Sequence, residues 1–282
     1  MTARRLCVVT HESNRQFWKS RYLGRYLAGH WRKHGVEVLL AHGVDEAVDA
    51  DIGLLHVDAT RVEPGYSACM ERFPVAINAR VVDISKRRFS RQLLSRGDAF
   101  DGRVVVKTNN NFGGITDLGI DVRKGRSSER SAAGDGPWRS RSVITPSQYP
   151  IFDSLRDVPP GVWRNPHLIV EKLLTEQDAD GNYRLRFWFF FGDRELGELC
   201  TGTKPIVKGR SIFRREVLHG VPDELRQLRS ELGFDFGKFD YAIVEGKPVL
   251  YDINPTPTFG PRRVSLFSEQ GVAEFARGLD AF

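Results

Sequence analysis

The sequence predicts an α/β domain built on a parallel sheet, followed by two α+β units, and three observations carry that reading. The first 80 residues alternate short apolar runs with a segment of helical spacing. In the middle, the β-rich run Arg103–Lys107 leads into small residues from Asn109 to Gly114. Near the end, Lys238–Val244 and Pro248–Asn254 flank a short turn containing Gly246, the pattern of a hairpin.

Taken in order, Leu6–Thr10 is a strand, and apolar positions at Phe17, Tyr22, Leu23, Tyr26, Leu27 and Trp31 predict a helix over Phe17–Lys33. His34-Gly35 ends that helix, and Val36–Ala41, Asp51–Val57 and Pro74–Asn78 supply three more strands. Runs this apolar suit a parallel sheet covered on both faces. Ser85–Leu94 reads as a basic helix leading out of this unit, which spans residues 1–82. A second unit, 83–171, holds the Arg103–Lys107 strand, a segment from Asp121 to Ser142 too polar to order itself, a partly helical Pro146–Val158, and the strand His167–Glu171. The third unit, 172–282, opens with Tyr183–Phe191, which turns at Gly192-Asp193 into Glu195–Thr201. A helix starting at Pro222 and ending at Gly233 precedes the hairpin.

Composition narrows the class. A chain of 282 residues with 40% hydrophobic and 28% charged residues is ordinary for a soluble enzyme. No apolar run approaches the ~20 residues that span a bilayer, and the apolar stretch after Met1 is too short for a signal peptide. Three scattered cysteines (Cys7, Cys69, Cys200) suit a reducing compartment and offer no zinc spacing, so a cytoplasmic location is expected. The net charge of +6 permits nucleic-acid binding without indicating it, and none is expected. Neither is a membrane partner; homo-oligomerisation is left open.

The hairpin carries the chemistry. With its turn near Gly246, Asp240 falls opposite Asp252, and Asn254 shares the face of Asp252 because strand side chains alternate. Opposed carboxylates repel and destabilise a sheet unless something offsets them. A hard divalent cation bound by carboxylate and amide oxygens, such as magnesium carrying nucleotide phosphates, does so; a solvated polar edge is the alternative.

The order of these parts resembles the ATP-grasp superfamily of D-alanine–D-alanine ligase, glutathione synthetase and related carboxylate–amine ligases. The resemblance rests on Lys238-x-Asp240 followed by Asp252-x-Asn254-Pro255, on Lys107 before its small-residue loop, and on the arrangement of the three units over nearly the whole chain. It implies two α+β subdomains that clamp ATP, with two Mg2+ ions (Mn2+ able to substitute) held by Asp240, Asp252 and Asn254. This chain has Asp252 where glutamate is commoner, one methylene shorter for bridging both ions. Lys107 and Lys86 match lysines that contact phosphate, although a basic helix in water accounts for Lys86 equally. Val170–Leu174 resembles the family's hinge. There Lys172, Leu173 and Leu174 would meet adenine, Glu171 its amine, and Asp178 the ribose. Lys204 is a further phosphate candidate with Lys208 competing. Arg186 with Arg184 behind it, and Lys238, would stabilise the transferred phosphoryl group and the oxyanion.

The activity so implied joins a carboxylate to an amine through an acylphosphate. Glu12, Arg262 and Arg263 are candidates for holding these small-molecule substrates. Two other readings stay open: an ATP-grasp kinase acting on a hydroxyl, favoured by the arginines of Asp121–Ser142, and a non-catalytic ATP-binding regulator.

Overall fold

The computed structural model describes residues 4–46, 48–124, 138–258 and 268–282. Strands β1 (Arg5–Thr10), β2 (Glu37–His42), β3 (Ile52–His56) and β4 (Val75–Ile77) form a parallel sheet in the order β2-β1-β3-β4. Helices α1 (Leu23–Lys33) and α2 (Pro64–Met70) connect them. The expected helix over Phe17–Lys33 is interrupted. Phe17–Lys19 is a single 3₁₀ turn, and Tyr22 is extended because it bridges Thr258 while the Leu23 N–H donates to the Pro257 carbonyl at 2.7 Å. Tertiary pairing here overrides the local apolar spacing.

A second, antiparallel sheet follows. The helix expected over Ser85–Leu94 shrinks to α3 (Lys86–Phe89), since Leu93–Leu94 is recruited as strand β5. Strand β6 (Val104–Thr108), helix α4 (Ile115–Arg123), β7 (Ile151–Phe152), α5 (Pro160–Trp163) and β8 (Leu168–Lys172) complete the unit, with sheet order β5-β8-β6-β7. Of the Asp121–Ser142 segment expected to lack order, Asp121–Arg123 closes α4, and 125–137 lie outside the described residues. Pro146–Val158 holds two 3₁₀ turns, Pro146–Gln148 and Leu155–Asp157, on either side of β7.

The largest sheet has six strands: β9 (Glu176–Gln177), β10 (Tyr183–Phe191), β11 (Arg194–Gly202), β12 (Ile212–Val217), β13 (Phe236–Val244) and β14 (Lys247–Asn254). Its order is β12-β11-β10-β13-β14, with β9 beside β10. Helix α6 (Asp223–Glu231) packs on one face, and α7 (Glu269–Ala276) meets α1 and β11. The hairpin register is the one the turn dictates: Asp240 pairs Asp252 and Lys238 pairs Asn254, with a bulge just beyond Asp240.

Two facts of packing place the site. The core under the N-terminal sheet (Leu6, Val8, Leu27, Trp31, Ile52, Leu54) is continuous with Phe189, Phe191, Phe236 and Phe275 of the C-terminal unit. The middle sheet has its own core, centred on Val104, Val106, Leu168 and Val170. Asn78, fully buried just past β4, joins the first unit to the hairpin. Its side-chain oxygen accepts from the Asp235 and Phe236 N–H groups at 2.9 and 3.0 Å, and its amide donates to the Phe236 carbonyl at 2.8 Å. Its φ of 60° is one that asparagine adopts more readily than most residues. Asn78→Ala leaves two N–H groups and a carbonyl unpartnered, so it should cost about 3 kcal/mol or more in urea unfolding; a loss under about 1 kcal/mol would contradict this linking role.

His56 is fully buried, neither ring nitrogen has a hydrogen-bond partner among the described residues, and burial pushes it down to about 4. It is ringed by Phe17, Tyr22 and Phe236. Between its folded pKa of about 4 and an unfolded value near ~6.5, the unfolded chain binds a proton that the folded chain does not. Stability is therefore lost as pH falls through that window. Relative to His56→Leu, the parent should lose about 2 kcal/mol more between pH 7 and pH 5, read from urea melts at the two pH values.

Candidate active site

A cleft of about 660 Å³ opens between the middle and C-terminal sheets. One wall comes from Val105, Lys107, Tyr149 and the segment Lys172–Thr175; the other from Leu185, Val207, Lys208, Asp240, Tyr251 and Asp252, with Lys86 at the end. Asp240 from β13 and Asp252 from β14 line this cleft, and alternation puts Lys238 on the same strand face as Asp240.

The carboxylates are the centre. Asp240 is 4% exposed, and Oδ1 of Asp240 and Oδ1 of Asp252 are both buried without a well-aligned hydrogen bond among the described residues. Cations surround them instead. Lys238 Nζ lies 2.7 Å from Asp240 Oδ1 and Lys86 Nζ 3.5 Å from Asp252 Oδ1. Burial alone would raise the Asp252 pKa, yet Lys86, Lys208, Lys238 and Lys107 together hold it below the usual range. Lys208 is pushed down by burial, against the pull of Asp252 and Asp240. Two buried, oxygen-only donors with unfilled lone pairs fit a hard cation such as Mg2+. Asn254 fits less directly, because its Oδ1 already meets the Thr256 N–H at 2.8 Å and the Thr256 hydroxyl at 3.2 Å. Among the described residues no group of three or more His, Cys, Asp or Glu could hold a metal, so the pair needs help from amide oxygen, phosphate or water.

Other expected residues divide. Lys86 is 2% exposed, and its Nζ also donates to the Asn110 carbonyl at 2.9 Å. Lys107 reaches the cleft but is paired with buried Glu171 at 2.7 Å, which gives Glu171 a partner other than a base amine. Lys172, Leu173 and Leu174 line the cleft; the Lys172 and Leu173 N–H groups already donate to the Gln92 and Arg103 carbonyls, and the Leu174 carbonyl accepts from Tyr251. Asp178 organises the turn before β10, accepting from the Asp180 and Asn182 N–H groups, outside the cleft. Lys204 is exposed, whereas Lys208 faces the carboxylates.

Arg186 does not join them. Phe187 pairs Asp240 and Arg186 pairs Tyr241, so Arg186 lies on the opposite face, ion-paired with Glu176. Arg184 contributes to the cleft wall and lies 3.9 Å from Glu176. The small-residue loop after β6 is held by Gly113 and Gly114 at φ of +68° and +80°, where an added Cβ would meet the Ile144 and Ser142 carbonyl oxygens at 2.1 and 2.5 Å. Glu12 pairs with Lys124 at 3.0 Å and does not line this cleft, and Arg262 and Arg263 lie outside the described residues.

No family model and no curated protein matches the sequence. Solved structures do match over their full length. An ATP-grasp ligase, PsnB, complexed with minimal precursor aligns with a TM-score of 0.54 at 11% identity, covering 99% of both chains. The chain has the ATP-grasp fold. The D-cycloserine synthetase DcsG aligns at a TM-score of 0.52 and 15% identity over 98% of each chain. D-alanine–D-alanine ligase from Bacillus anthracis complexed with ATP follows at 0.50 and 13%, covering 99% of this chain and 96% of that one. At such identities the structural likeness shows the fold alone. No described helix is long and apolar enough to cross a membrane.

The Lys107–Glu171 pair yields a direct test. Lys107→Met strands a buried carboxylate and should destabilise the protein by about 3 kcal/mol. Adding Glu171→Gln should recover most of that loss in the same denaturation measurement, and failure to recover would show that the two side chains do not act as a pair.

Proposed function

We propose that this protein is an ATP- and Mg2+-dependent carboxylate–amine ligase. The observation that carries the reading is the opposed Asp240–Asp252 pair, with buried oxygens lacking aligned donors among the described residues, set among Lys86, Lys107, Lys208 and Lys238 at one end of the cleft. Carboxylates that hold cations beside lysines that hold phosphates suit a nucleotide's polyphosphate and little else. The ATP-bound neighbour and the two other ligase neighbours support the same conclusion.

In this reading adenine lies among Val105, Leu185, Val207 and Tyr251, with its edge toward the Leu174–Thr175 backbone. The phosphates run along Lys107, Lys208 and Lys86. Asp240 and Asp252 would hold Mg2+, joined by Asn254 once Thr256 yields its oxygen; bound there, the ion neutralises phosphate charge and sharpens the electrophilicity of phosphorus. A substrate carboxylate oxygen bonds to the γ-phosphorus as the bond to the bridging oxygen breaks, releasing ADP. An amine nitrogen then bonds to the acyl carbon, Lys238 stabilises the oxyanion, and the carbon–oxygen bond to phosphate breaks as the nitrogen loses its proton. Arg186 has no place in this scheme, because it faces away, whereas Lys238 stands 2.7 Å from Asp240.

The test uses purified protein with ATP, Mg2+ and a panel of amino acids and small carboxylates, recording phosphate release and product masses. Asp252→Ala should abolish turnover while leaving the circular-dichroism spectrum unchanged. Turnover equal to the parent's would overturn the metal assignment, and phosphate appearing on a stable alcohol would replace ligase by kinase.

A further inference from the structure

The chain's excess positive charge is matched by one stretch of it. Between Glu12 and Glu37 there is no aspartate or glutamate, and there are six lysines and arginines; taking these six from the chain's 42 leaves 36, equal to its 36 acidic residues. The structure gathers five of them, Lys19, Arg21, Arg25, Arg32 and Lys33, on one surface. Leu23, Leu27, Ala28 and Trp31 turn the apolar side of α1 onto the core, so the helical period sends Arg25, Gly29, Arg32 and Lys33 outward. The turn before the helix lies along the same flank. Arg25 Nη1 donates to the Ser20 carbonyl at 3.1 Å, and the Arg32 guanidinium sits 5.1 Å from the centre of the Trp18 ring. Lys19 and Arg21, the neighbours of Ser20 and both exposed, complete the group.

Stability of the fold does not account for this group. The sixth cation, Arg15, pairs with Glu46, whereas none of the five forms an ion pair with a described carboxylate. Cations in the last turn suit the negative end of the helix dipole, which explains Arg32 and Lys33. Arg21 and Arg25 flank the positive end, where the first turn holds no acid to offset them. Of the acids that reach this part of the chain, Asp58 accepts from the Tyr22 hydroxyl at 2.8 Å, and Glu269 acts on His30, on the other side of the helix from Arg32. Such a field favours an anion. Gly29 points the same way. It lies inside the helix, where glycine is unfavourable, yet nothing stands within 4 Å of the place its Cβ would take. Packing within the described chain gives no reason for it, and close approach of a partner does.

Spacing chooses among anions. From Arg25 to Lys33 the helix rises about 12 Å, a length in which a nucleic-acid strand passes about three or four phosphates at ~3.4 Å each. An extended acidic peptide puts side chains on one side only every ~7 Å, too sparsely for these cations. Insertion into a bilayer needs an apolar wedge, and the large exposed hydrophobic residues all lie outside this stretch. The guanidinium groups of Arg25 and Arg32 are held over Tyr26 and Trp18, at 4.6 and 5.1 Å from the ring centres, which pre-orders two planar groups for stacking on unpaired bases.

We propose that this surface of α1 and its preceding turn binds a single-stranded nucleic acid, with phosphates on Lys19, Arg21 and Lys33 and bases stacked on Arg25 and Arg32. None of these residues lines the cleft, and the assignment does not depend on the ligase reading. Net charge alone does not indicate such a partner; its concentration on one surface does.

The test is fluorescence anisotropy of labelled RNA and DNA strands of about 20 nucleotides and mixed sequence, titrated with the full chain at about 50 and about 200 mM NaCl. With about four cations engaged, affinity should fall about 50-fold across that range. The triple variant Arg21→Gln, Arg32→Gln, Lys33→Gln should bind about ten-fold more weakly or worse at the lower salt, and its salt slope should shrink by about two. A control, Arg88→Gln, Arg91→Gln, Arg96→Gln, makes the same change in net charge at exposed positions of the α3 segment and should bind as the parent does. Arg32→Lys keeps the charge and loses the plane, so it should bind about five-fold more weakly with an unchanged salt slope. Every substituted side chain is exposed, and all variants should keep the parent's circular-dichroism spectrum. A tighter complex with one of the two strands supports the proposal and names RNA or DNA as the source. No binding at the lower salt, equal losses in the two triple variants, or an unchanged affinity in Arg32→Lys would overturn it, as would equally tight binding to polyglutamate or to phosphatidylserine vesicles.

Discussion

Two carboxylates facing each other across a β-ladder are the constraint around which this chain is arranged. Asp240 and Asp252 would repel if left to themselves, and among the described residues no hydrogen-bond donor is well aligned on their inner oxygens. What holds Asp252 in its charged form is a group of lysines drawn from separate parts of the sequence: α3, β6, the loop before β12, and β13 itself. Each lysine is in turn costly to bury, as the depressed Lys208 shows. Acid and base stabilise one another here only because every contributing element is held in place by packing elsewhere.

That packing explains the division of labour. The bulge beyond Asp240 turns Tyr251 into the cleft while keeping Asp252 in register with Asp240, so an apolar wall and a charged end come from the same strand. On the other face of the sheet, Trp188, Phe190, Phe239 and Tyr241 pack under α6 and lock the hairpin. Alternation alone therefore decides that Lys238 shares a face with Asp240 and that Arg186 does not.

Much of this is legible in the residues. The hairpin register follows from the position of Gly246, and the parallel sheet from apolar runs spaced by a helix; both depend on local geometry that a sequence displays directly. The face occupied by Arg186 is not legible, because a strand pattern reveals which residues share a side without revealing which side meets the ligand; only the pairing of Phe187 with Asp240 settles it. Glu171 shows a second limit. Its ion pair with Lys107 joins adjacent strands of a sheet whose order, β5-β8-β6-β7, no local pattern discloses. The shortened α3 and interrupted α1 escape for the same reason, since distant partners claim residues that local spacing assigns to helices.

The shared core has a mechanical consequence. Trp31, Phe191, Phe236 and Phe275 weld the first and last thirds of the chain into one block, reinforced by Asn78, while the middle sheet keeps a core of its own. Such a body behaves as an anvil with a separate jaw, and the jaw carries Lys107. Any relative movement of the two would change how many lysines stand beside the paired acids, because Lys107 belongs to the jaw while Lys238, Asp240 and Asp252 belong to the anvil.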